Sequence, residues 1–382
     1  MKVTGAARAM RGRTALVAAV LLALTSCGQE PAPAPSTAAP ALPRPTGPRP
    51  VGVRVLELSD TSRPDPWGPA RARELTVSLW YPARSVTAPA ARYVTRRESE
   101  LILRAHHVEN VPADLLSRVR VHAGREARPA ATTGHGLPLV VLSPGFSLPR
   151  TSLTALAEDL ASRGYAAAAV DHAYEAVAMS RSDGRVIDCR ACHDSPDGRR
   201  VATVRAADLS YVRQRLLALS RTDHRGMPRL DPARVAAVGH SIGGAAAFEA
   251  VGTDPGFAAG ADLDGTLHSA GTTPVTKPFL MLGADRHGKP GADGSWERGW
   301  QRLSGWRRWY SVAGTDHVSF TDYGLLSERL GLASATARDA SGALDVVRRL
   351  VAAFLDDRLR DAPGSGPDTV AGDDARIRRH DP

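Results

Sequence analysis

An α/β fold, with a mainly parallel central sheet and helices on both faces, is the class this sequence predicts. Three observations point there. Short apolar runs such as LPLVVL (137–142) and YAAAAV (165–170) suit strands buried on both sides. Segments with helical spacing lie between such runs, an alternation that calls for helices packed over a sheet. The runs end in polar loops, SPGF after the first and DH after the second. Right-handed crossovers would gather those loops at one edge, where such sheets bind ligands.

Taken in order, Val51–Leu58 and Arg73–Tyr81 read as strands with mixed alternation. Leu137–Leu142 is the first fully apolar strand. Ser152–Arg163 has helical spacing and is closed by Gly164, and Tyr165–Val170 is the next buried strand. Ala202–Leu219 puts Val204, Leu209, Val212, Leu216 and Leu219 on one helical stripe. Arg234–Val238, Phe257–Leu263, Phe279–Leu282 and Trp309–Val312 supply the remaining strands, and Leu344–Leu355 a closing helix. Trp296, Trp300, Trp306 and Trp309 crowd one segment, which reads as core packing of a helix and a strand rather than an aromatic lip.

The ends differ from the middle. Residues 1–26 pair a basic start with a short apolar run, TALVAAVLLAL, too short to span a bilayer and suited to a signal-peptide core. Leu24-Thr25-Ser26-Cys27 resembles the bacterial lipobox, which makes Cys27 the expected lipid attachment point. Residues 27–50 are Pro-rich and read as an extended tether holding the domain off a membrane. The expectation is therefore an exported bacterial lipoprotein facing outwards, or a secreted protein if the lipobox is not used, with a folded domain over 51–360 and a loop insertion around 180–200. Residues 361–382 lack apolar periodicity and are expected to be disordered. The net charge of +9 comes from scattered arginines without interleaved aromatics, so no nucleic-acid partner is expected.

The chemistry centres on VAAVGHSIGGAAAFEA. Ala233–Val238 supplies a strand, Gly239-His240-Ser241-Ile242-Gly243 a turn, and Gly244–Val251 a helix. This is the G-x-S-x-G nucleophile elbow in its strand–turn–helix setting. Such a turn strains the serine backbone, and glycines two positions either side remove side chains that would collide. A serine needs a base, and the base an orienting carboxylate. His317, just past the strand WYSV, is placed to reach the elbow. His268 and His287 come too early, and His380 lies in the tail. For the acid, Asp264 and Asp285 each follow a strand, and spacing leaves both open. Asp262 should point the opposite way from Asp264, and Asp316 adjoins the histidine too closely to face its ring. Backbone N–H groups of Ile242 and Phe146 are the candidate oxyanion donors, since Pro144 has none to offer.

SPGF, DLASRGYAAAAVDH, GHSIGG, the LDG of DLDGTL, and GTDHVSFTDYGLL together resemble the plasma-type, calcium-independent platelet-activating-factor acetylhydrolase family of α/β-hydrolases, over roughly residues 70 to 357. That resemblance implies the α/β-hydrolase fold and a serine carboxylic-ester hydrolase that forms an acyl-enzyme. It would cleave short or oxidised acyl esters, including those of phospholipids, without metal or organic cofactor. It also implies Asp264 as the acid, whereas the more distantly similar cutinase-like polyester hydrolases would use the position of Asp285. One departure is Pro144, where the family usually carries histidine. A cutinase-like polyester or small-ester hydrolase is the alternative within the class. A non-catalytic surface-binding lipoprotein is the alternative outside it.

Cys189-x-x-Cys192-His193 matches the c-type haem attachment pattern, but its neighbourhood is polar and Gly-rich, without the apolar pocket haem needs. With Cys27 lipidated, an even pair remains, and outside the cytoplasm Cys189 and Cys192 are expected to form a disulfide. No second spaced pair accompanies them, so no metal site is expected.

Overall fold

The computed structural model describes residues 40–69, 71–132, 134–223, 226–268, 271–331, 339–360, 362 and 366–382. The leader and Cys27 lie outside the described residues. The amino-terminal half contains β1 (Val51–Pro64), β2 (Ala72–Pro82), α1 (Arg96–Ala105), β3 (Gly124–Arg125) and β4 (Leu137–Ser143). Then come α2 (Thr154–Ser162), β5 (Ala166–His172), a small hairpin of β6 (Met179–Ser180) and β7 (Val186–Ile187), and a single turn α3 (Ala191–Asp194). The long α4 (Gly198–Thr222) leads to β8 (Leu230–His240), α5 (Ile242–Thr253), β9 (Ala259–Leu263) and β10 (Phe279–Ala284). The chain closes with α6 (Gly294–Arg302), β11 (Arg307–Val312), α7 (Asp322–Arg329), α8 (Ala340–Leu359), α9 (Pro367–Asp373) and β12 (Ile377–His380).

Ten strands form one sheet in the order β12-β11-β10-β9-β8-β4-β5-β2-β1-β3. The six from β5 to β11 are mutually parallel. β2 joins β5 antiparallel and carries β1 antiparallel outside it. Alternation explains how the parallel strands are covered twice. Val140 and Leu142 face one apolar cluster with Leu156 and Leu160 of α2 and Leu350 and Phe354 of α8. Leu139 and Val141 face the other, with Leu209 and Leu216 of α4 and Phe248 of α5. A side-chain period of two with both faces apolar needs helices on both faces. The expected sandwich of layers is therefore present.

The chain runs from β4 to β5 on one side, then crosses to β8 on the other. The crevice at the carboxyl ends of β4 and β8 is thus a topological switch point, the place where such sheets take ligands.

Three segments differ from expectation. The tail forms α9 and β12 instead of being disordered. β12 pairs antiparallel with β11 from Val312↔Ile377 to Trp309↔His380. Ile377 is buried, and Asp368 accepts hydrogen bonds from Arg308 and Tyr310. The ladder and these polar bonds replace the apolar periodicity that the tail lacks. The second half of the tether is docked rather than free. Leu42 is buried, the N–H and hydroxyl of Thr46 both donate to Asp159, and Gly47 N–H donates to the Ser162 hydroxyl. Between 83 and 135, α1 was not anticipated, although Thr95-x-x-Glu98 makes a reciprocal capping box there. The tryptophans do pack as core: Trp296 and Trp309 are fully buried and Trp300 nearly so. Cys189 and Cys192 are joined in a disulfide within the 180–200 insertion, which leaves no thiol there to attach haem.

Deleting residues 361–382 uncovers the β11 edge and breaks the Asp368 bonds. We expect a loss of about 2 kcal/mol, read as a fall of roughly 2–4 °C in the thermal midpoint by calorimetry. An unchanged midpoint would show β12 to be dispensable.

Candidate functional site

The elbow is built by the absence of side chains. A Cβ on Gly239 would lie 2.0 Å from the Gly243 carbonyl oxygen. One on Gly243 would lie 2.1 Å from the Ser143 oxygen, and one on Gly244 1.7 Å from Asp262 Oδ1. No substituent fits at those distances. Between them Ser241 adopts φ 57° and ψ −129°, a left-handed conformation unusual for serine. Its N–H donates to the Leu263 carbonyl (2.9 Å), which ties the elbow to the end of β9. α5 starts at Ile242, so its unpaired first N–H groups and positive dipole end face the same side as the hydroxyl.

His317 and Asp264 meet that hydroxyl. His317 Nε2 lies 2.9 Å from Ser241 Oγ, and His317 Nδ1 lies 2.6 Å from Asp264 Oδ2. The acid at 264, not Asp285, is therefore at the histidine. Asp285 is drawn instead into an ion pair with Lys289 (2.6 Å) and accepts the Gly314 N–H. Asp264 also has a left-handed backbone, φ 58°, which turns its carboxylate out of the strand direction and toward His317. Gly265 follows because a Cβ there would sit 2.2 Å from the Ser241 carbonyl oxygen. Asp262 lies under Gly244 instead: two positions apart on a regular strand the two carboxylates would share a face, and the left-handed backbone of Asp264, just past the end of β9, is what separates them. Asp316 is occupied as the cap of the turn His317–Phe320.

Asp264 is nearly inaccessible, whereas the His317 side chain is 51% exposed. Burial alone would raise the Asp264 carboxyl, but hydrogen bonds from His287, His317 and the Ala284 N–H outweigh it and hold the pKa at about 2. The acid thus stays ionised across the whole useful pH range. Asp262 is the opposite case: burial, with the Asp264 charge nearby, pushes its carboxyl well above the ordinary value. Burial therefore favours its uncharged form.

Two histidines beside the predicted set were not anticipated as partners. His240, inside the elbow motif, is buried and donates from Nε2 to the His317 carbonyl oxygen (2.8 Å). Burial and the adjacent His317 push its pKa down to about 3, so it stays neutral and props the base from beneath. His287 lies against Asp264 Oδ1 (2.9 Å) and Asp293 Oδ2 (3.0 Å). Their contacts span 77 and 23 residues, and the only local signal was histidine inside or just beyond a site loop.

The loop after β4 carries Phe146, which packs with Ile242, Ala245 and Trp67 in one small cluster. A buried charge network holds that loop. Arg205 donates to the Pro144 carbonyl oxygen (2.5 Å) and to Glu175 (2.7 Å), and Glu175 also accepts from Arg73 (2.8 Å). Arg73 donates in turn to Asp208 and Asp65, and His172 bridges Asp208 and the Ser143 hydroxyl. The cleft above Ser241 has a volume of about 920 Å³ and is walled by Thr266, His268, Asp285, Arg286 and Thr315.

The model of a family described as platelet-activating factor acetylhydrolase, isoform II, matches residues 37–184 and 222–374. A probable 1-alkyl-2-acetylglycerophosphocholine esterase of Arthroderma benhamiae is 27% identical over 295 residues, 70% of this chain and 73% of that protein. A bis(hydroxyethyl) terephthalate hydrolase of Streptomyces coelicolor is 28% identical over 157 residues, 41% of this chain and 42% of that protein. The solved structure of a ferulic acid esterase from Streptomyces cinnamoneus superposes with a TM-score of 0.77 at 38% identity, over 90% of this chain and all of that one. The sheet and its helices are those of the α/β-hydrolase fold, and the resemblance read from the motifs agrees with the family match.

Two substitutions separate the acids. Asp264→Asn, which leaves a near-isosteric donor facing His317, should lower kcat for p-nitrophenyl acetate by roughly 10³–10⁴-fold. Asp285→Asn should stay within about three-fold of wild type, as a half-buried carboxylate that pairs with Lys289 and the Gly314 N–H rather than with His317 would. Steady-state kinetics on both proteins check this, and equal losses would contradict the geometry.

Proposed function

The chain belongs to the platelet-activating factor acetylhydrolase isoform II family and is a carboxylic ester hydrolase; on that premise we propose that Ser241, His317 and Asp264 cleave short or oxidised acyl esters through an acyl-enzyme. The observation that carries the reading is the unbroken hydrogen-bonded line from Ser241 Oγ through His317 to Asp264. His317 Nε2 takes the serine proton as Oγ bonds to the acyl carbon. Asp264 stabilises the imidazolium and fixes its tautomer by accepting from Nδ1. The carbonyl oxygen, now negative, is received by the N–H groups of Phe146 and Ile242. His317 then gives its proton to the departing alcohol oxygen. Water repeats the attack with His317 again as base, which releases the acid and restores the serine.

The polar walls of the cleft favour a small or oxygenated acyl group over a long alkyl chain. Thr266, His268 and Arg286 would leave such a chain poorly packed and would themselves lose water. A second reading, esters of aromatic acids, is favoured by the 38% identity to a ferulic acid esterase and by the terephthalate hydrolase relative. A non-catalytic binder would have no use for a strained serine aligned with a histidine and an ionised carboxylate.

Membrane attachment at Cys27 is supported by the leader pattern and the Pro-rich segment that follows it. It would present the cleft to acyl chains of oxidised or short-chain phospholipids, or to material outside the cell. Exchange of Cys27 for serine is expected to move the protein from the membrane fraction to the soluble one, as immunoblotting of separated fractions would show.

The decisive experiment is a series of p-nitrophenyl esters from two to twelve carbons, with a 2-acetyl phospholipid and ethyl ferulate alongside. Two- to four-carbon acyl groups should turn over fastest. Ser241→Ala should lose roughly 10³-fold or more in kcat and all labelling by a fluorophosphonate. Activity retained within ten-fold would remove Ser241 from its role. Preference for ethyl ferulate over every acetyl ester would select the second reading.

A further inference from the structure

The acid of the triad is shared. Asp264 offers Oδ2 to His317 and Oδ1 to a second imidazole, His287, whose other nitrogen meets Asp293. We infer that His287 is a positioning residue of this site: clasped between two carboxylates as an imidazolium, it locks Asp264 and offsets part of its charge, and so sets how acidic a medium His317 can tolerate as a base. The inference rests on the triad reading above.

The hydrogen-bond inventory requires the positive form. An ionised carboxylate only accepts, so a nitrogen at 2.9 Å from Asp264 Oδ1 and another at 3.0 Å from Asp293 Oδ2 must both donate. Neutral imidazole has one N–H and would face the second carboxylate lone pair to lone pair. Asp293 cannot turn away, because it also accepts from the Thr266 hydroxyl (2.7 Å) and from Ser295 N–H (2.8 Å). Asp264 cannot either, since Oδ1 takes the Ala284 N–H (2.7 Å) as well. Trp296 packs nearly perpendicular to the His287 ring, with ring centroids 5.7 Å apart, and its own N–H is tied to the Gly265 carbonyl. Consistently, the hydrogen bond donated to Asp264, opposed by partial burial and reinforced by the Asp264 charge and Asp293, raises the His287 pKa to about 9.

The surrounding charges do not cancel this effect. On the His287 loop, Asp285 and Lys289 neutralise each other, and Arg286 lines the open cleft. From β9, burial pushes the Asp262 carboxyl well above its ordinary range and so favours its uncharged form. From α6, Glu297 accepts the Gly291 N–H away from the ring, and Asp293 lies on the far side of His287 from Asp264. His268 is across the cleft, and His317 shares the carboxylate. The net result is one imidazolium interposed between two carboxylates, with its charge nearer His317 than that of Asp293. A positive charge there opposes a second one on His317.

The test uses the full protein and the dependence of kcat/KM on pH from 4.5 to 9. In His287→Asn the side-chain amide can still donate to Asp264 Oδ1, but the charge is gone. Its acid limb should move to higher pH by roughly half to one unit, with a plateau only several-fold lower. His287→Ala should show the same displacement with a deeper loss on the plateau, because Asp264 also loses a donor. A limb that stays in place in both variants overturns the inference, whatever the plateau does. A measurement on the wild type guards against misfolded variants. Imidazole ¹⁵N shifts should show His287 doubly protonated at pH 7 and titrating near pH 9. A neutral ring at pH 7 overturns the inference equally. A wild type that neither hydrolyses esters nor is labelled at Ser241 fails the triad reading and takes this inference with it. An active enzyme with an unmoved limb fails only the inference.

Discussion

A steric constraint underlies the whole active edge: where the strand β8 becomes the helix α5, there is no room for any atom beyond the backbone. Gly239 leaves space for the Gly243 carbonyl, Gly243 for the Ser143 carbonyl, and Gly244 for the Asp262 carboxyl. Across the gap, Gly265 lets the acid loop close against the Ser241 carbonyl. The elbow and the acid loop are therefore one interlocked object rather than two loops that happen to meet. Ser241 and Asp264 are both left-handed, and each hands its N–H to the neighbouring strand end, Leu263 and Leu282 respectively. Such backbones cost on the order of 1–3 kcal/mol each. Burial of Ala245, Ala246, Ala247 and Phe248 against the sheet offsets that cost, which is why the helix after the serine is so poor in large or polar residues.

Behind the other wall lies a different kind of restraint. Arg73, Arg205, Asp65, Glu175, Asp208 and His172 are essentially inaccessible, yet every one is hydrogen-bonded. A network like this is weak evidence for net stability, because desolvation consumes most of the Coulomb attraction. Its value is in direction. Removing one partner leaves a buried charge unpaired at a cost of about 3–5 kcal/mol, so the arrangement tolerates few alternatives. Since Arg205 ends on the Pro144 carbonyl and His172 on the Ser143 hydroxyl, that rigidity passes to the turn bearing Phe146.

Legibility in the sequence follows the range of each signal. Apolar runs, helical stripes and the elbow are local patterns; they led to the correct layers and the order of the core elements in the chain, and they singled out the serine on which the proposed mechanism rests. Past that range, spacing was silent. Asp264 and Asp285 both end strands, and only the backbone turn at Asp264 and the rival lysine at Asp285 separate them. His287 was set aside because it comes early for a base, and nothing local reveals that it grips the acid instead. β12 was hidden for a similar reason: its stability comes from a ladder with β11 and bonds to Asp368, not from its own apolar content. The docked residues 40–50 owe their place to partners on α2 more than a hundred positions away.

These restraints sort the site by wetness, and the sorting makes chemical sense. In the proposed mechanism proton traffic passes through His317, and that ring is half in solvent, where a charge can come and go at little expense. The carboxylate that answers the charge is dry, at 1% exposure, so its attraction is not diluted by water. A dry carboxylate would normally tend to protonate, and three donors prevent it: two imidazole N–H groups and the Ala284 backbone. Any arrangement that kept Asp264 buried with fewer donors would leave its carboxylate less firmly placed and nearer to protonation. Any that exposed it would let water compete for the same oxygens. The second histidine thus resolves a conflict that burial of the acid creates, and it does so with a group that cannot be confused with the base, because both its nitrogens are already engaged.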